Sequence, residues 1–489
     1  MSNTAASRFK FIGHALAGDG PFRPIVSTDG DGLATLAGTS YLIRYPRESD
    51  AKFARRCELA FYASPLMQAC SRFVGYLQTK PPTRTIEDPL YQAMADDIDG
   101  KGNSLDEFFA QFLIQFKARG TMLLLVDMDA APADRAPNQA AQIAQRVAPY
   151  WSMVKPEDVT DYELGDDGKF AWVEFAGNWT SPAGERIACT WRFDRTSWAA
   201  TKKDATGTSQ ALAQGNHPLG ECPLLICTEG GDFPHFGPFA AIADLSKRLF
   251  NLDSELDEIL RGQTFSLLTM QVEDGTNSEQ KLAVAQTAGQ TVSTANMLVH
   301  SGSTPAFIAP PDGPAATYLQ RIEKMRLQID EIGLNVATIN QQESGVAMKM
   351  RFQTINASLV ACANRVDGLE RRAWALSQKW LQLTTAPDNA WADDYDIADV
   401  EVEMQILLEM QQAAMPRPVI VEQQKRIVQL QFGGLADEKL DELMEALDED
   451  QRGVDGTPEG GGNVVPLPDR NAPVREAILR SLGVSNGGG

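Results

Sequence analysis

The 489-residue sequence predicts an α+β chain in which a mixed body of helices and strands gives way to helices of unusual length. Three observations carry that expectation. First, apolar and polar residues alternate with period two in FAWVEF (170–175) and RIACTWRF (186–193), the pattern of half-buried strands. Second, residues 349–381 carry Phe352, Ile355, Leu359, Cys362, Val366, Leu369, Ala373, Leu376 and Trp380 at alternating steps of three and four. That is the seam of one helix, roughly thirty residues and about 45 Å long. Third, a seamed helix at 238–261 (Phe239, Ile242, Leu245, Leu249, Leu252, Leu256, Ile259) is followed by a Thr/Gly/Pro-rich, β-leaning interval. A second seamed helix (Leu319, Ile322, Met325, Ile329, Ile332, Val336) comes next, so a small unit is inserted between two helices able to lie side by side. One copy of such tall helices cannot bury all their flanks.

Taken in order, residues 1–50 are rich in glycine and Asp-Gly turns and predict loops and short extended pieces. The double Asp-Gly at 29–32 lacks the spaced acids and distal Glu of a calcium loop and is read as a turn. Two helices are expected over 50–77, meeting at Ser64-Pro65, where Ser caps and Pro takes the first helical position. Ser104-Leu105-Asp106-Glu107 is a capping box opening a helix whose inward face is Leu105, Phe108, Phe109, Phe112, Leu113 and Phe116. Gly120 ends it, and TMLLLVD (121–127) reads as a buried strand. Residues 130–148 form a connector or short surface helix, 150–163 lead into the alternating strands, and a further strand is expected at CPLLIC (222–227). Within the insert, 266–272 and 296–308 look like strands. Beyond Trp391, DIADVEVEM is strand-like, followed by acidic helical segments near 403–415, 418–431 and 437–448. Residues 452–468 are Gly/Pro-rich, and a short helix is expected around 473–482.

Several function classes are excluded by composition and motif. No apolar run reaches eighteen residues, so no membrane-spanning helix is expected, and the first residues lack the apolar core of a secretion signal. Six cysteines without a CxxC pair predict reduced thiols. An apolar strand ending in Asp127 is similar to the magnesium-binding strand of nucleotide-hydrolysing motors, but no phosphate loop accompanies it, which argues against a hydrolase. His14, His217, His235 and His300 show no metal-ligand spacing, and no nucleophile elbow or Ser/His/Asp set is seen, so neither metal, cofactor nor catalytic residue is expected. Trp172, Trp179, Trp191 and Trp198 read as core of the strand region rather than as platforms for bases. The net charge is −21, and residues 387–450 hold seventeen acidic against four basic side chains. Such a surface either serves solubility or lets a polyanion slide past without sticking.

The order of parts resembles the portal (head-to-tail connector) proteins of tailed bacteriophages. NHPLGECPLLI (216–226) looks like the Gly-x-x-Pro strand that this family often carries before its first stem helix, and VKPEDVTDYE and the helix-Gly120-strand unit look like its wing. The resemblance implies a portal-like fold: a mixed α/β wing at 1–237, stem helices at 238–262 and 317–337, a small β-rich clip at 263–316, a tunnel loop at 338–348, a long wing helix and its return at 349–400, and an acidic helical crown with a tail at 401–489. It further implies a homo-oligomeric ring, typically of twelve copies, at one capsid vertex of the virion, assembled in the host cytoplasm. Double-stranded DNA would pass through it. The implied partners are the large terminase, adaptor or tail proteins, and the major capsid or scaffolding protein. Another minor capsid or head-tail adaptor protein, or a packaging-associated nuclease, is the alternative.

On that reading Asn340, Gln341, Gln342, Glu343 and Ser344 project into the channel, where short amides touch phosphate without holding it. Lys349 and Arg351 add weak, salt-sensitive contacts. The alternative is an ordinary solvated turn. Lys247, Arg248, Arg321 and Lys324 are candidates to line the channel, or to pair with Asp253, Glu255, Glu323 or Asp330 on adjacent copies.

Overall fold

A computed structural model describes residues 3–30, 33–128, 139–203, 208–264, 267–271, 297–300, 306–308, 313–334, 345–395, 400–432, 439 and 441–447. The chain is α+β and divides into two units, Met1–Ile397 and Ala398–Gly489.

The first unit opens with a helix, α1 (Asn3–Ala17), and a hairpin of β1 (Ile25–Thr28) and β2 (Ala34–Ala37). The hairpin agrees with the short extended pieces expected over 1–50, but helix α1 corrects the rest of that expectation: Phe9, Ile12, Ala15 and Leu16 share one face and are buried, a pattern masked by the glycine-rich residues that follow. Helices α2 (Asp50–Leu59) and α3 (Pro65–Gln78) come next, then β3 (Thr83–Thr85) and α4 (Pro89–Asp96). Pro65 does take the first turn of α3. Ser64, however, sits in the left-handed region (φ +50°) and makes no capping bond, while Ser49 accepts the Lys52 N–H at the start of α2. Both arms of the predicted capping box close α5 (Leu105–Arg119), and its six inward residues are at most 3% exposed.

Strand β4 (Thr121–Asp127) is the hub of this unit. After the short α6 (Gln139–Ala144), it pairs antiparallel with β5 (Tyr150–Val154) on one side and with the later β11 (Leu224–Thr228) on the other. Met122, Leu124 and Val126 enter a core shared with the helices, while Leu123 and Leu125 enter a second core with Val159, Phe170, Val173 and Phe193. Burial on both faces explains why β4 is apolar throughout instead of alternating. The second core lies under a five-stranded antiparallel meander: β6 (Val159–Leu164), β7 (Phe170–Thr180), β8 (Arg186–Asp194), β9 (Ser197–Lys203) and β10 (Ser209–Asn216). Trp191 and Trp198 pack against that core as expected. Trp172 does not: it lies beneath the Arg192 guanidinium (4.1 Å) and donates to Glu163.

Asp194 fastens the β8–β9 turn by accepting from the Thr196 and Ser197 N–H groups and from both hydroxyls. Burial alone would raise its pKa, but these bonds outweigh it and bring the carboxyl from 3.8 down to about 2. Because the folded pKa is the lower one, the turn's contribution is complete above pH about 4 and is lost as pH falls toward 2. Asp194→Ala should therefore be less stable than the wild type at neutral pH, and the two should converge near pH 2. A difference that stays constant with pH would contradict this role.

The two seamed helices are α7 (Ala240–Thr264) and α8 (Gly313–Ile332), and the long helix is α9 (Gly345–Leu381). Between α7 and α8 lie β12 (Leu267–Gln271), β13 (Met297–His300) and β14 (Ala306–Ile308), with β12 parallel to β13 and antiparallel to β14. Helix α9 has 37 residues, about 55 Å, and β15 (Asp388–Ala390) returns to pair with β3. The α9 seam from Ile355 to Trp380 is buried as expected. Its flank seals a sheet edge: Arg372 donates to the Ile226 carbonyl (3.0 Å) and Arg365 to that of Thr228 (2.8 Å), so β11 keeps no open template there.

In the second unit α10 (Val400–Gln412) pairs with α11 (Arg417–Phe432). The strand expected at 396–404 is thus a helix from Val400 on. Glu403, buried where the strand pattern expected a solvent-facing charge, is held by Arg426 (3.2 Å) and Gln423 of α11. Helix pairing overrides a period-two pattern that has no neighbouring strand among the described residues. All six cysteines are buried and free.

Candidate functional site: the paired helices and the long helix

Helices α7 and α8 pack side by side. Ile322 and Ile329 of α8 are buried in the same core as Leu249 and Leu256 of α7, and Met325 between them is buried too. The Tyr318 hydroxyl donates to Glu255 (2.8 Å), while Ile329 and Asp330 lie beside Leu249 and Phe250, so the helices run antiparallel. Leu319, placed in the seam by its spacing, is 55% exposed: at about 100° per residue it falls on the edge of the stripe, outside the contact.

A strap from the N-terminal region holds α7 to the body. The Asn251 side chain accepts from the Ile43 N–H (2.7 Å) and donates to the Tyr41 carbonyl (3.1 Å). Beside it, Arg56 forms a two-pronged pair with Glu48 (3.0 and 2.9 Å), donates to the Ile43 carbonyl and the Ser254 hydroxyl, and lies 4.0 Å from the Tyr45 ring centroid. Burial pushes the Glu48 carboxyl up, but bonds from Arg56 and the Tyr45 N–H outweigh that, and its pKa is lowered. None of this was visible in the spacing of α7 itself, because its partners lie some two hundred residues earlier.

A second anchor sits where α5 ends. Gly120 (φ +76°) crosses the chain just before α7: Gly237 N–H donates to the Arg119 carbonyl (3.1 Å), and Glu229 N–H to the Gly120 carbonyl (2.8 Å). Buried Lys117 pairs with Glu229 (2.7 Å) and faces the rings of Phe73 and Phe239, while Arg119, 1% exposed, is forked onto Glu157.

A cleft of about 330 Å³ opens between the α2–α3 loop (Phe61), α7 (Leu249, Asp253) and α8 (Arg326, Asp330). Burial raises the Asp253 pKa, Arg326 opposes the rise, and Asp257 adds to it. Asp330 is tied to Arg72 of α3 (3.5 Å).

The candidate residues fall into four groups. Arg248, Arg321 and Lys324 are exposed on the helix pair and make no ion pair among the described residues. Lys247 differs: its ammonium lies 5.0 Å from the Tyr41 ring centroid and 5.8 Å from that of Phe11, within its own chain. Asn340, Gln341, Gln342, Glu343 and Ser344 lie outside the described residues. Lys349 and Arg351 stand in the first turns of α9, their side chains outside the description. Helix α9 begins at Gly345, so 345–348 is helix and not loop; Ala347 and Met348 are strong helix formers. Among the described residues no three His, Cys, Asp or Glu are placed to hold a metal ion. No helix among them is long and apolar enough to cross a membrane.

No protein-family model matches the chain, and no curated protein matches it. Among solved structures it is similar to a chain of the virion of a native gene transfer agent particle, at 12% identity and a TM-score of 0.37, covering 83% of this chain and 95% of that one. It is also similar to a chain of the neck of the empty particle computed with C6 symmetry (11%, TM-score 0.38, 72% and 90% covered). A third similarity is to the neck of the native particle computed with C12 symmetry (10%, TM-score 0.34, 71% and 85% covered).

Proposed function

We propose that this chain is a portal protein: copies stand around an axis as a ring at one capsid vertex, and double-stranded DNA is packaged and ejected through the channel. The observation that carries this reading is the α7–α8 pair, interrupted by a β insert and buried along one stripe only, with Leu260 (44%), Leu319 (55%) and Leu327 (55%) left at the surface. Flanks of that kind ask for neighbours, and a head-to-tail contact repeated with rotation closes into a ring. The long helix α9, fixed to β4 through Trp380 and to β11 through its arginines, gives the assembly a stiff strut. In this proposal the insert is the clip that meets terminase and then adaptor or tail proteins, the wing meets capsid or scaffolding protein, and 338–344 is the tunnel loop. The role requires no bond-breaking chemistry from the chain.

Deleting residues 341–345 tests the conduit. The variant is expected to keep a native mass near twelve times 53.4 kDa while losing DNA packaging or retention. Normal packaging by the deletion variant would remove the role given to the loop.

A further inference from the structure

The α7–α8 pair has two unlike flanks. On one, the cleft continues along both helices as a mainly acidic and apolar strip: Asp253, Asp257 and Leu260 of α7 follow one another at steps of three and four, and Leu319, Glu323, Arg326 and Asp330 do so on α8. Phe61, 72% exposed, stands at its rim. Asp253, Asp257 and Glu323 make no ion pair among the described residues, and the cations present are Arg326 and Arg72, the latter engaged by Asp330. The opposite flank carries Arg248 of α7 with Arg321 and Lys324 of α8, all exposed. Its acids are Glu331, Glu255 and, one turn before Arg248, Asp244; Glu255 is occupied by the Tyr318 hydroxyl and Asp244 by Arg8.

We infer that the acidic, Phe61-rimmed cleft of one copy is the docking surface for the basic flank, Arg248, Arg321 and Lys324, of the next. This inference rests on the ring reading and specifies which surfaces meet. The argument for a second copy as the occupant is charge complementarity carried on opposite sides of one element. Such a surface cannot satisfy itself within a chain, yet it is matched by the other side of an identical chain, and that relation is head-to-tail. Asp253 is partly buried, with Arg326 near it and Asp257 opposing that cation's effect, so an incoming cation adds to what Arg326 supplies, and the apolar residues beside it supply dry contact.

Mixing of charge-reversed variants tests this. One variant carries Asp253→Lys and Glu323→Lys; the other carries Arg321→Glu and Lys324→Glu. Each alone opposes like charges at every junction and should lose at least about tenfold in ring fraction by native mass measurement, while thermal unfolding shows a folded monomer. Mixed in equal amounts, both alternating junctions are again complementary, and rings should return. If either variant assembles alone like the wild type, or if two folded variants fail to assemble on mixing, the inference is overturned while the ring stands. Should a reversed variant not fold, the neutral versions (Asp253→Asn with Glu323→Gln; Arg321→Gln with Lys324→Gln) replace it. Their rings should dissociate at lower salt than wild-type rings, and unchanged salt sensitivity overturns the inference. A wild-type protein that forms no rings would overturn the portal reading itself.

Discussion

Glu48→Ala is expected to destabilise the first unit by about 3–5 kcal/mol, because it strands a charge that the fold has taken out of water. The Arg56 side chain is 3% exposed and that of Glu48 1%. With the carboxylate gone, Arg56 keeps the Ile43 carbonyl, the Ser254 hydroxyl and the Tyr45 face, which satisfy donors but do not neutralise charge. The strap along α7 would loosen with it, since Glu48 also accepts the Tyr45 N–H (3.0 Å). Replacing both partners by apolar residues of similar size (Glu48→Leu with Arg56→Met) should recover most of the loss, because the pair's own desolvation cost disappears together with its attraction. Denaturant unfolding of the single and double variants checks this. A single-variant loss under about 1 kcal/mol would mean that water reaches the pair.

Gly120→Ala should cost about 4 kcal/mol or more, for two reasons that add. An alanine at φ +76° pays the left-handed penalty of about 1–2 kcal/mol. Its Cβ would also overlap the backbone N and Cα of Gly237 and come within 2.8 Å of the Phe236 carbonyl carbon, atoms that have no rotamer by which to withdraw. The crossing that sets the entry of α7 would have to part, breaking Gly237 N–H to Arg119 and the paired bonds between Thr121 and His235. Gly75, inside α3 with nothing within 4 Å of a built Cβ, is the control: Gly75→Ala should be stabilising by roughly 0.5–1 kcal/mol. Equal effects at the two glycines, read from thermal unfolding, would contradict the close crossing.

Local signals were the legible part of the sequence. The Ser104–Glu107 box, the apolar run of β4, the α9 seam and the α7–insert–α8 order each follow from residues within one or two turns of one another, and the structure follows them closely. What the sequence did not disclose depends on distant partners. Arg365 and Arg372 cap β11 from more than a hundred residues away, and Glu403 is a buried acid only because α11 brings Arg426 to it. Leu319 fits the periodicity yet misses the contact, since a seam of threes and fours fixes a stripe but not its width. Lys247 read as a cation free to face a channel, and the strap that places Tyr41 against it has no local signature. Arg248, Arg321 and Lys324 are exposed because the seams of α7 and α8 phase them away from the buried stripe.

Negative-stain electron microscopy of the purified protein, with class averages viewed down the particle axis, tests the ring most directly. The account predicts closed rings with a central hole and about a dozen spokes, each spoke one chain with its α7–α8 pair toward the axis. Single particles without a hole, at concentrations used for assembly, would contradict it.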